Sequence, residues 1–202
     1  MTAGRPFTCS VFIGISLDGF IAREDGDLHW LTSRGEAAGG DLGYQEFIDG
    51  IDTVVMGRGT YEPGLTYDPW PHEGQHCAVL SSTLPLDADP RVTVHRNLGT
   101  LLRALEERGT KSVYVDGGQV IRTFLLEGLI DELTITTVPV LIGTGLPLFG
   151  PLGRDVPLTH VSTRVFGAGV VQSTYAVDQS TYAVEQSGNA ARRPAYAAGR
   201  EV

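Results

Sequence analysis

Three segments of the sequence place glycine or serine where a strand-like pattern passes into a helix-like pattern. They read VVMGRGTYE (residues 54–62), LSST (residues 80–83) and VYVDGGQ (residues 113–119). A glycine at such a turn lets a phosphate approach the backbone, and the helix start offers unpaired N–H groups and a positive dipole end. Arg58 adds a planar charged group that suits phosphate. One such segment is typical of an ordinary turn, but carboxyl ends of parallel strands meet at one edge, so three together predict a phosphate-binding site there.

The segment HEGQH at residues 72–76 matches the H-E-x-x-H pattern of zinc proteases. That pattern works when a helix puts both histidines on one metal ion with a glutamate beside it. Here Pro71 precedes the segment, Gly74 lies in its centre, and a strand pattern begins directly after His76. Because a helix does not fit, we predict a surface loop with solvated histidines rather than a metal site.

The segment GISLD at residues 14–18 is similar to the G-x-S-x-G turn of serine hydrolases, but aspartate stands where the second glycine is needed. We predict the end of a strand that enters a turn. Neither the G-x-G-x-x-G pattern of Rossmann proteins nor a Walker A pattern occurs. A hydrolase or a metalloenzyme would have to be built on one of these incomplete patterns.

Strand and helix patterns alternate early in the chain and give way to strands late in it. Helices are predicted from Asn97 to Gly109, from Gly118 to Gly128 and over residues 41–48. Strands are predicted over residues 7–15, 53–56, 77–80, 92–95, 112–115, 133–141, 158–166 and 170–175. This order predicts an α/β fold, in which helices flank a mostly parallel eight-stranded sheet that ends in an antiparallel C-terminal hairpin.

The composition is that of an acidic globular domain. The chain of 202 residues has a formal net charge of −9 and 42% hydrophobic residues, which predicts one compact domain and disfavours nucleic-acid binding. The N-terminal apolar run ends at Asp18 without a cleavage site, and residues 133–150 are broken by glycine and proline, so neither a signal peptide nor a membrane helix is expected. Cys9 and Cys77 are expected to be unpaired core thiols of a cytoplasmic protein.

The C-terminal part carries a tandem duplication. STYAVDQ at residues 173–179 is followed directly by STYAVEQ at residues 180–186. Two copies are too few for a repeat fold, so either the terminal strand is duplicated or only one copy pairs in the sheet. The last sixteen residues are mostly small and polar. We therefore predict a single domain over residues 1–186 and a disordered tail over residues 187–202.

Three stretches together resemble one protein family. They are VFIGISLDGFIAREDGDLHWL from residue 11, VVMGRGTYE from residue 54 and VYVDGGQVIRTFLLEGLIDELTITTVPVLIGTGLPLFG from residue 113. The sequence is similar to the dihydrofolate reductase superfamily, and most of all to the reductase domain of the bifunctional riboflavin-biosynthesis deaminase-reductase and its stand-alone relatives. The likeness covers about residues 7–177. Its third stretch is the most specific, because the glycine pair, the helix and the final glycine-rich segment occur together and in order.

This resemblance implies a dihydrofolate-reductase-like fold and NADPH as the hydride donor. By position, Gly57, Arg58 and Thr60 would meet the cofactor phosphates, while Ser81 and Ser82 would lie near its adenosine end. The resemblance also places a helix start at the pyrophosphate, formed by Gly117, Gly118, Gln119 and Val120.

The resemblance assigns the first loop to the nicotinamide side. Ile21 and Ala22 would line the nicotinamide. Asp18 and Gly19 belong to the D-G-F-I-A signature of the stand-alone relatives and would lie at the mouth of the substrate cleft, with Gly19 also next to the cofactor.

Two aspartates are the candidate catalytic or substrate-anchoring acids, since an acid near the nicotinamide can deliver a proton or stabilise charge as hydride arrives. Asp18 follows the first strand, which puts it at the carboxyl edge of the sheet. Asp41 lies sixteen residues before Gly57, the offset of the carboxylate that anchors the pterin in true dihydrofolate reductases, although the stretch between Trp30 and Asp41 is longer than theirs. The alternatives are a turn residue for Asp18 and a helix cap for Asp41.

The function implied is an NADPH-dependent reductase of a small heterocyclic or carbonyl-type substrate, such as a pterin, dihydrofolate or a pyrimidine of the riboflavin pathway. The deaminase half is not implied, since H-x-E with a later P-C-x-x-C cannot be drawn from two cysteines. A riboflavin-pathway role would therefore need a partner deaminase. The alternative function is an NADPH-binding regulator or inactive relative without turnover. The paired reductase domains of the relatives imply a homodimer.

Overall fold

The structure, a computed structural model, describes residues 5–179 of the chain. Its main sheet has eight strands. They are β1 (Thr8–Ser16), β3 (Thr53–Gly57), β4 (His76–Leu80), β5 (Val92–His95), β6 (Ser112–Asp116), β7 (Glu132–Val138), β9 (Leu158–Val165) and β10 (Val171–Val177). A separate two-stranded sheet pairs β2 (Phe20–Ala22) with β8 (Leu146–Pro147).

The main sheet has the order β5-β4-β3-β6-β1-β7-β10-β9. The strands from β5 to β7 pair in parallel, whereas β10 pairs antiparallel with both β7 and β9. The strands β3, β4 and β6 are buried apolar runs, as expected for parallel strands that are covered on both faces. The predicted fold class is therefore confirmed.

Helices cover both faces of this sheet. They are α1 (His29–Ala38), α2 (Tyr44–Asp49), α3 (Arg58–Gly64), α4 (Leu98–Arg108) and α5 (Gly118–Leu126). Helix α4 begins where the Asn97 side chain accepts a hydrogen bond from the Thr100 backbone N–H at 2.9 Å and ends at Gly109, whose φ is +74°. Both of these boundaries match the sequence prediction.

Three local elements differ from the prediction. Helix α1 was not predicted, because it buries only Trp30 and Ala38 and so lacks a clear apolar face. Strand β7 ends at Val138 rather than at residue 141, because Pro139 has no N–H for the ladder. The small β2–β8 sheet was also missed, since its strands of three and two residues are too short to show a strand pattern.

The C-terminal hairpin is confirmed, with β9 and β10 joined by a tight turn through Gly167–Gly169. The second copy of the duplication and the predicted tail lie outside the described residues. Cys9 and Cys77 are buried and form no disulfide, and burial raises the pKa of Cys9 to about 12. Within residues 5–179 no helix combines the length and the apolar character that crossing a bilayer requires.

Candidate active site

The glycine-ended strands β3 and β6 are neighbours, so their carboxyl ends lie side by side, with Met56 opposite Asp116. Two close contacts join the residues that follow. A Cβ atom at Gly117 would lie 2.4 Å from Thr60 Oγ1, and one at Gly57 would lie 3.2 Å from Val120 Cγ2. Since no side chain fits at Gly117, its backbone is the surface that this edge presents.

The start of α5 forms the centre of the edge. Gly117 has a φ of +88°, and the Ile121 N–H donates to its carbonyl at 2.9 Å, which makes Gly118, Gln119 and Val120 the first turn. The first N–H groups of a helix have no partner within it and favour an anion at that end. A nine-residue helix that begins at bare glycine backbone is thus suited to hold a phosphate.

The remaining predicted segment, LSST at residues 80–83, forms a turn beside this edge. Ser81 Oγ accepts hydrogen bonds from the backbone N–H groups of Thr83 and Leu84, at 3.3 and 3.1 Å. Arg58 donates to Thr83 Oγ1 at 3.2 Å. The arginine predicted to bind phosphate therefore contacts the turn predicted to lie near the adenosine end of the cofactor. Ser82, between them, is exposed.

Arg96, which was not among the predicted site residues, holds the same turn from the other side. Its guanidinium donates to the carbonyl oxygens of Ser81, at 3.0 Å, and Leu84. Arg96 directly follows β5, which is the neighbour of β4 in the sheet. The signal that could have found it is an arginine directly after a strand, at the same edge as Arg58.

The β2–β8 sheet closes over the helix start. A Cβ atom at Gly118 would lie 3.0 Å from the Pro147 carbonyl oxygen and 3.2 Å from Ile21 Cδ1. The Leu148 N–H donates to the Gly19 carbonyl at 3.0 Å. These contacts bring the predicted nicotinamide-side residues against the predicted pyrophosphate residues.

Asp18 ties together the two loops that carry this small sheet. Its carboxylate accepts hydrogen bonds from the backbone N–H groups of Ile142, at 3.2 Å, and Gly143, at 2.8 Å. The side chain is exposed, and its hydrogen bonds with Ser16, Gly143 and Ile142 lower the pKa of Asp18. The lowered pKa favours the ionised carboxylate, which is hydrogen-bonded to the backbone of the loop between β7 and β8.

Asp41 is engaged within its own segment. Its two carboxylate oxygens accept from the backbone N–H groups of Gly43, at 3.2 Å, and Gln45, at 2.9 Å. These bonds lower the pKa of the exposed Asp41 carboxyl. The residue lies two positions before Gly43, the N-cap residue of α2, and satisfies the N–H of Gly43 and one N–H of the first turn, that of Gln45.

A third carboxyl, Asp116, lies at the centre of the edge and was not among the predicted acids. It ends β6 directly before the glycine pair, and its Oδ1 accepts from the Gly117 N–H at 2.8 Å. Burial of the carboxyl raises the pKa of Asp116, although the residue as a whole is partly exposed. The signal in the sequence was its place, because it immediately precedes the first glycine of the pair.

Tyr114 lies two residues before Asp116 on β6 and contacts the backbone of the neighbouring strand β1. The Tyr114 hydroxyl donates to the Phe12 carbonyl at 3.0 Å, and its interaction with the Asp116 carboxyl lowers the pKa of Asp116 against the larger effect of burial. Phe12 also lines a cavity of about 230 Å³ between α2 and strands β7, β10 and β9.

The two incomplete motifs have structural roles. His72 lies in a turn and His76 at the start of β4, so they are not on successive turns of a helix. The prediction of solvated histidines was wrong for His72, which is only 8% exposed because its ring packs against Trp70 and Tyr114. Among residues 5–179 no group of three His, Cys, Asp or Glu side chains could hold a metal ion. Ser16 is buried, and its Oγ accepts from the Phe20 N–H at 3.0 Å.

Comparisons with known proteins agree with this architecture. Residues 8–172 match the family model described as the RibD C-terminal domain. The uncharacterized protein YwjB of Bacillus subtilis (strain 168) is 35% identical over 164 residues, which cover 79% of this chain and 92% of YwjB.

Two solved structures show the same fold. A protein proposed to act in riboflavin biosynthesis, from Shewanella sp. PV-4, is 35% identical with a TM-score of 0.77, and the match covers 85% of this chain and 99% of that one. A dihydrofolate reductase from Enterococcus faecalis, complexed with NADP(H) and RAB-propyl, is 18% identical with a TM-score of 0.63 over 86% of this chain and 98% of that one. The second likeness shows a shared fold alone.

Proposed function

This chain belongs to the RibD C-terminal domain family, and from that membership and its phosphate-suited sheet edge we propose an NADPH-dependent reductase of a small heterocyclic or carbonyl-type substrate. The observation that carries the proposal is the cradle at Gly117, where Thr60 leaves no room for a side chain and α5 begins. The family and the fold support reductase chemistry. The substrate class comes from the sequence resemblance.

The cradle fits the phosphates of a dinucleotide. The first turn of α5 would hold the pyrophosphate through backbone N–H groups, with Thr60 beside it. Arg58 and Arg96 flank the Ser81 turn, and two guanidinium groups there suit the additional phosphate that distinguishes NADPH from NADH. When bound, the reduced nicotinamide supplies the hydride.

The protein must then supply a proton or stabilise negative charge, because hydride addition to a C=N or C=O bond leaves an electron pair on nitrogen or oxygen. Asp116 is suited to this task, since burial keeps its carboxyl protonated to higher pH than usual and the residue lies at the sheet edge, where it is partly exposed. Asp18 and Asp41 stay candidates for the substrate side. Their hydrogen bonds to backbone N–H groups make them positioning residues in this proposal.

The test is cofactor binding by the parent and by Arg58→Ala, with NADPH and NADH titrated separately. A hydrogen bond to a charged group contributes about 1.5 to 3 kcal/mol, so Arg58→Ala should weaken NADPH about 10- to 150-fold and NADH less. The matched control is Arg103→Ala, an exposed arginine of α4, which should change neither affinity. Equal binding of both cofactors, unaffected by Arg58→Ala, would contradict the phosphate assignment.

Turnover separates the enzyme from a cofactor-binding regulator. Purified protein is incubated with NADPH and dihydrofolate, pterin and pyrimidine substrates, and loss of NADPH absorbance is followed. Oxidation that depends on one substrate class supports the reductase. Tight NADPH binding with no oxidation on any class would favour the regulator.

We also propose that the protein is a homodimer. All eight residues of β9 are exposed, including the apolar Leu158, Val161 and Val165, and β9 is the last strand of the sheet. A long exposed edge strand that carries apolar side chains is a surface that proteins usually cover. Light scattering should return about twice the chain mass of 21.6 kDa, and a value near 21.6 kDa at micromolar concentration would contradict the dimer.

A further inference from the structure

The duplication gives the C-terminal strand two sequences of the same pattern. Residues 170–179, here the first segment, read VVQSTYAVDQ, and residues 177–186, here the second segment, read VDQSTYAVEQ. They differ only where Val171 corresponds to Asp178 and where Asp178 corresponds to Glu185. In the structure the first segment lies between β7 and β9, a position here called the strand slot.

The ends of the strand slot hold buried valine side chains and hydrogen-bonded glutamine side chains. Val170 and Val177 are buried, and the Gln172 side chain donates to the Leu42 carbonyl, at 3.0 Å, and to Thr136 Oγ1, at 2.9 Å. At the far end the Gln179 side chain donates to the Ile130 carbonyl. A shift by seven residues supplies valine, valine, glutamine and glutamine again at these four positions.

The middle of the strand slot also recognises side chains that both segments contain. Thr174 Oγ1 lies 3.0 Å from Thr134 Oγ1 of β7. The Tyr175 ring packs edge-on against His160 of β9 with centroids 5.7 Å apart. The second segment would bring Thr181 and Tyr182 to the same places. Strand register is normally fixed by such a side-chain pattern, and here the pattern occurs twice.

Two features favour the first segment. Val171 is partly buried opposite Thr137 and Val165, where Asp178 would be less suited. The turn before β10 is closed by the Phe166 N–H donating to the Val170 carbonyl at 2.8 Å, and Gly167 packs on the end of α1. The shifted register would lengthen this turn by seven residues and withdraw it from α1, but loop entropy rises only slowly with length.

We propose that the strand slot is a binding site with two interchangeable occupants, the first segment as seen and the second segment in a register shifted by seven residues. The exchange would release the Gly167–Gly169 turn from the end of α1. This proposal rests on the duplicated sequence and the slot contacts, so it is independent of the reductase function.

Proline substitutions test the exchange on the full-length chain. Proline removes a ladder hydrogen bond from a central strand, so Thr174→Pro disables the first segment and Thr181→Pro the second. We expect Thr181→Pro to leave the melting temperature unchanged, and Thr174→Pro to lower it by less than half of what the double variant loses. The control is Ile135→Pro in β7, a strand with one copy, which should lower it by about 10 °C or more. A Thr174→Pro variant as unstable as the double variant would overturn the proposal.

Cross-linking reads the register directly. In a glutathione buffer, the pair Thr134→Cys and Thr174→Cys should form an intramolecular disulfide, because these residues are opposite each other. With Thr174→Pro present, the pair Thr134→Cys and Thr181→Cys should form the corresponding intramolecular disulfide at similar yield. No disulfide in that background, or a covalent dimer in place of the intramolecular product, would overturn the single-chain exchange.

Discussion

The phosphate side and the acid side of the candidate site are built in different ways. On the proposed phosphate side, Gly117 lies against Thr60 and Gly57 lies against Val120. On the acid side, Asp18 and Asp41 are exposed and bonded to backbone N–H groups of different loops, whereas Asp116, the acid with the raised pKa, belongs to the phosphate edge itself.

The difference follows from how each side is specified. A strand that ends in glycine before a helix sets its own geometry over a few residues, and parallel pairing then brings such ends together. A carboxylate takes its chemical character from burial and from partners that are distant in sequence. Asp18, for example, is bonded to Ile142 and Gly143 across the fold.

The largest expected effect comes from Asp116→Asn. Asparagine keeps the shape and an acceptor for the Gly117 N–H, but it removes the proton that the carboxyl can deliver. General acid catalysis contributes about 10²- to 10⁴-fold, so we expect turnover to fall by that range while NADPH affinity stays within a few-fold of the parent. Turnover within a few-fold of the parent would move the acid role back to Asp18 or Asp41.

The pH dependence gives this variant a second measurement. Burial raises the pKa of Asp116 in the folded protein, whereas an unfolded carboxyl has a pKa of about 4. As the pH rises above about 4, the unfolded chain loses this proton first. The free energy of unfolding therefore falls until the pH has passed the folded pKa. Asp116→Asn has no proton to lose there. At pH 7 we therefore expect it to be at least as stable as the parent in urea unfolding, and a clear loss of stability would indicate a structural role.

Gly117→Ala tests the phosphate side. The new Cβ atom would lie 2.4 Å from Thr60 Oγ1 at a φ of +88°. A non-glycine residue with this positive φ and a ψ of 132° costs about 1 to 3 kcal/mol, and overpacking adds about 1 to 3 kcal/mol. NADPH binding should weaken as Thr60 shifts. The matched control Gly26→Ala has a φ of +85° and open space, so only the backbone cost applies.

A double variant identifies the clash. Thr60→Ala removes the atom that the new Cβ meets, so adding it to Gly117→Ala should restore part of the lost stability. Contacting residues show such non-additivity in a double-mutant cycle. Additive losses in denaturant unfolding would show that Thr60 is not what makes glycine necessary at this position.

The same contrast explains which parts of the molecule could be predicted from sequence. Among the predicted cofactor residues, Gly117 lies against Thr60 and Gly57 lies against Val120, because each lies within a strand–turn–helix segment. Asp116 was quoted in the sequence pattern but not singled out as an acid, because its character depends on burial and on Tyr114. Arg96 was missed since its role depends on β5 lying beside β4, which sheet order decides and a local pattern does not show.

His72 shows the opposite error, because the local composition predicted a solvent-exposed histidine. The prolines and the glycine around it predicted a surface loop, yet its ring is covered by Trp70 from the same loop and by Tyr114 from β6. Burial lowers the pKa of His72, which favours the neutral ring. Aromatic packing against a distant strand thus overrode the loop pattern.

The smallest expected effects are at the two exposed aspartates, and they should differ. Asp18 joins the loops that carry the β2–β8 sheet over Gly118, whereas Asp41 satisfies N–H groups of its own segment. We expect Asp18→Asn to lower turnover about tenfold or more by misplacing these loops, a loss that starts below the range of about 10²- to 10⁴-fold for a general acid, and Asp41→Asn to lower it less. Both variants should keep NADPH affinity.

The pH dependence of stability of these two variants shows whether each aspartate stabilises the fold as an ionised carboxylate that accepts hydrogen bonds from backbone N–H groups. Hydrogen bonds lower the pKa of both aspartates, so their stabilising effect is present above the pKa of about 4 for an unfolded carboxyl and is lost as pH falls through the folded pKa. Each variant should therefore be less stable than the parent at pH 7, and the difference should disappear as the pH falls through the folded pKa. If Asp18→Asn shows this stability pattern but parent-like turnover, Asp18 holds the loops without serving the reaction.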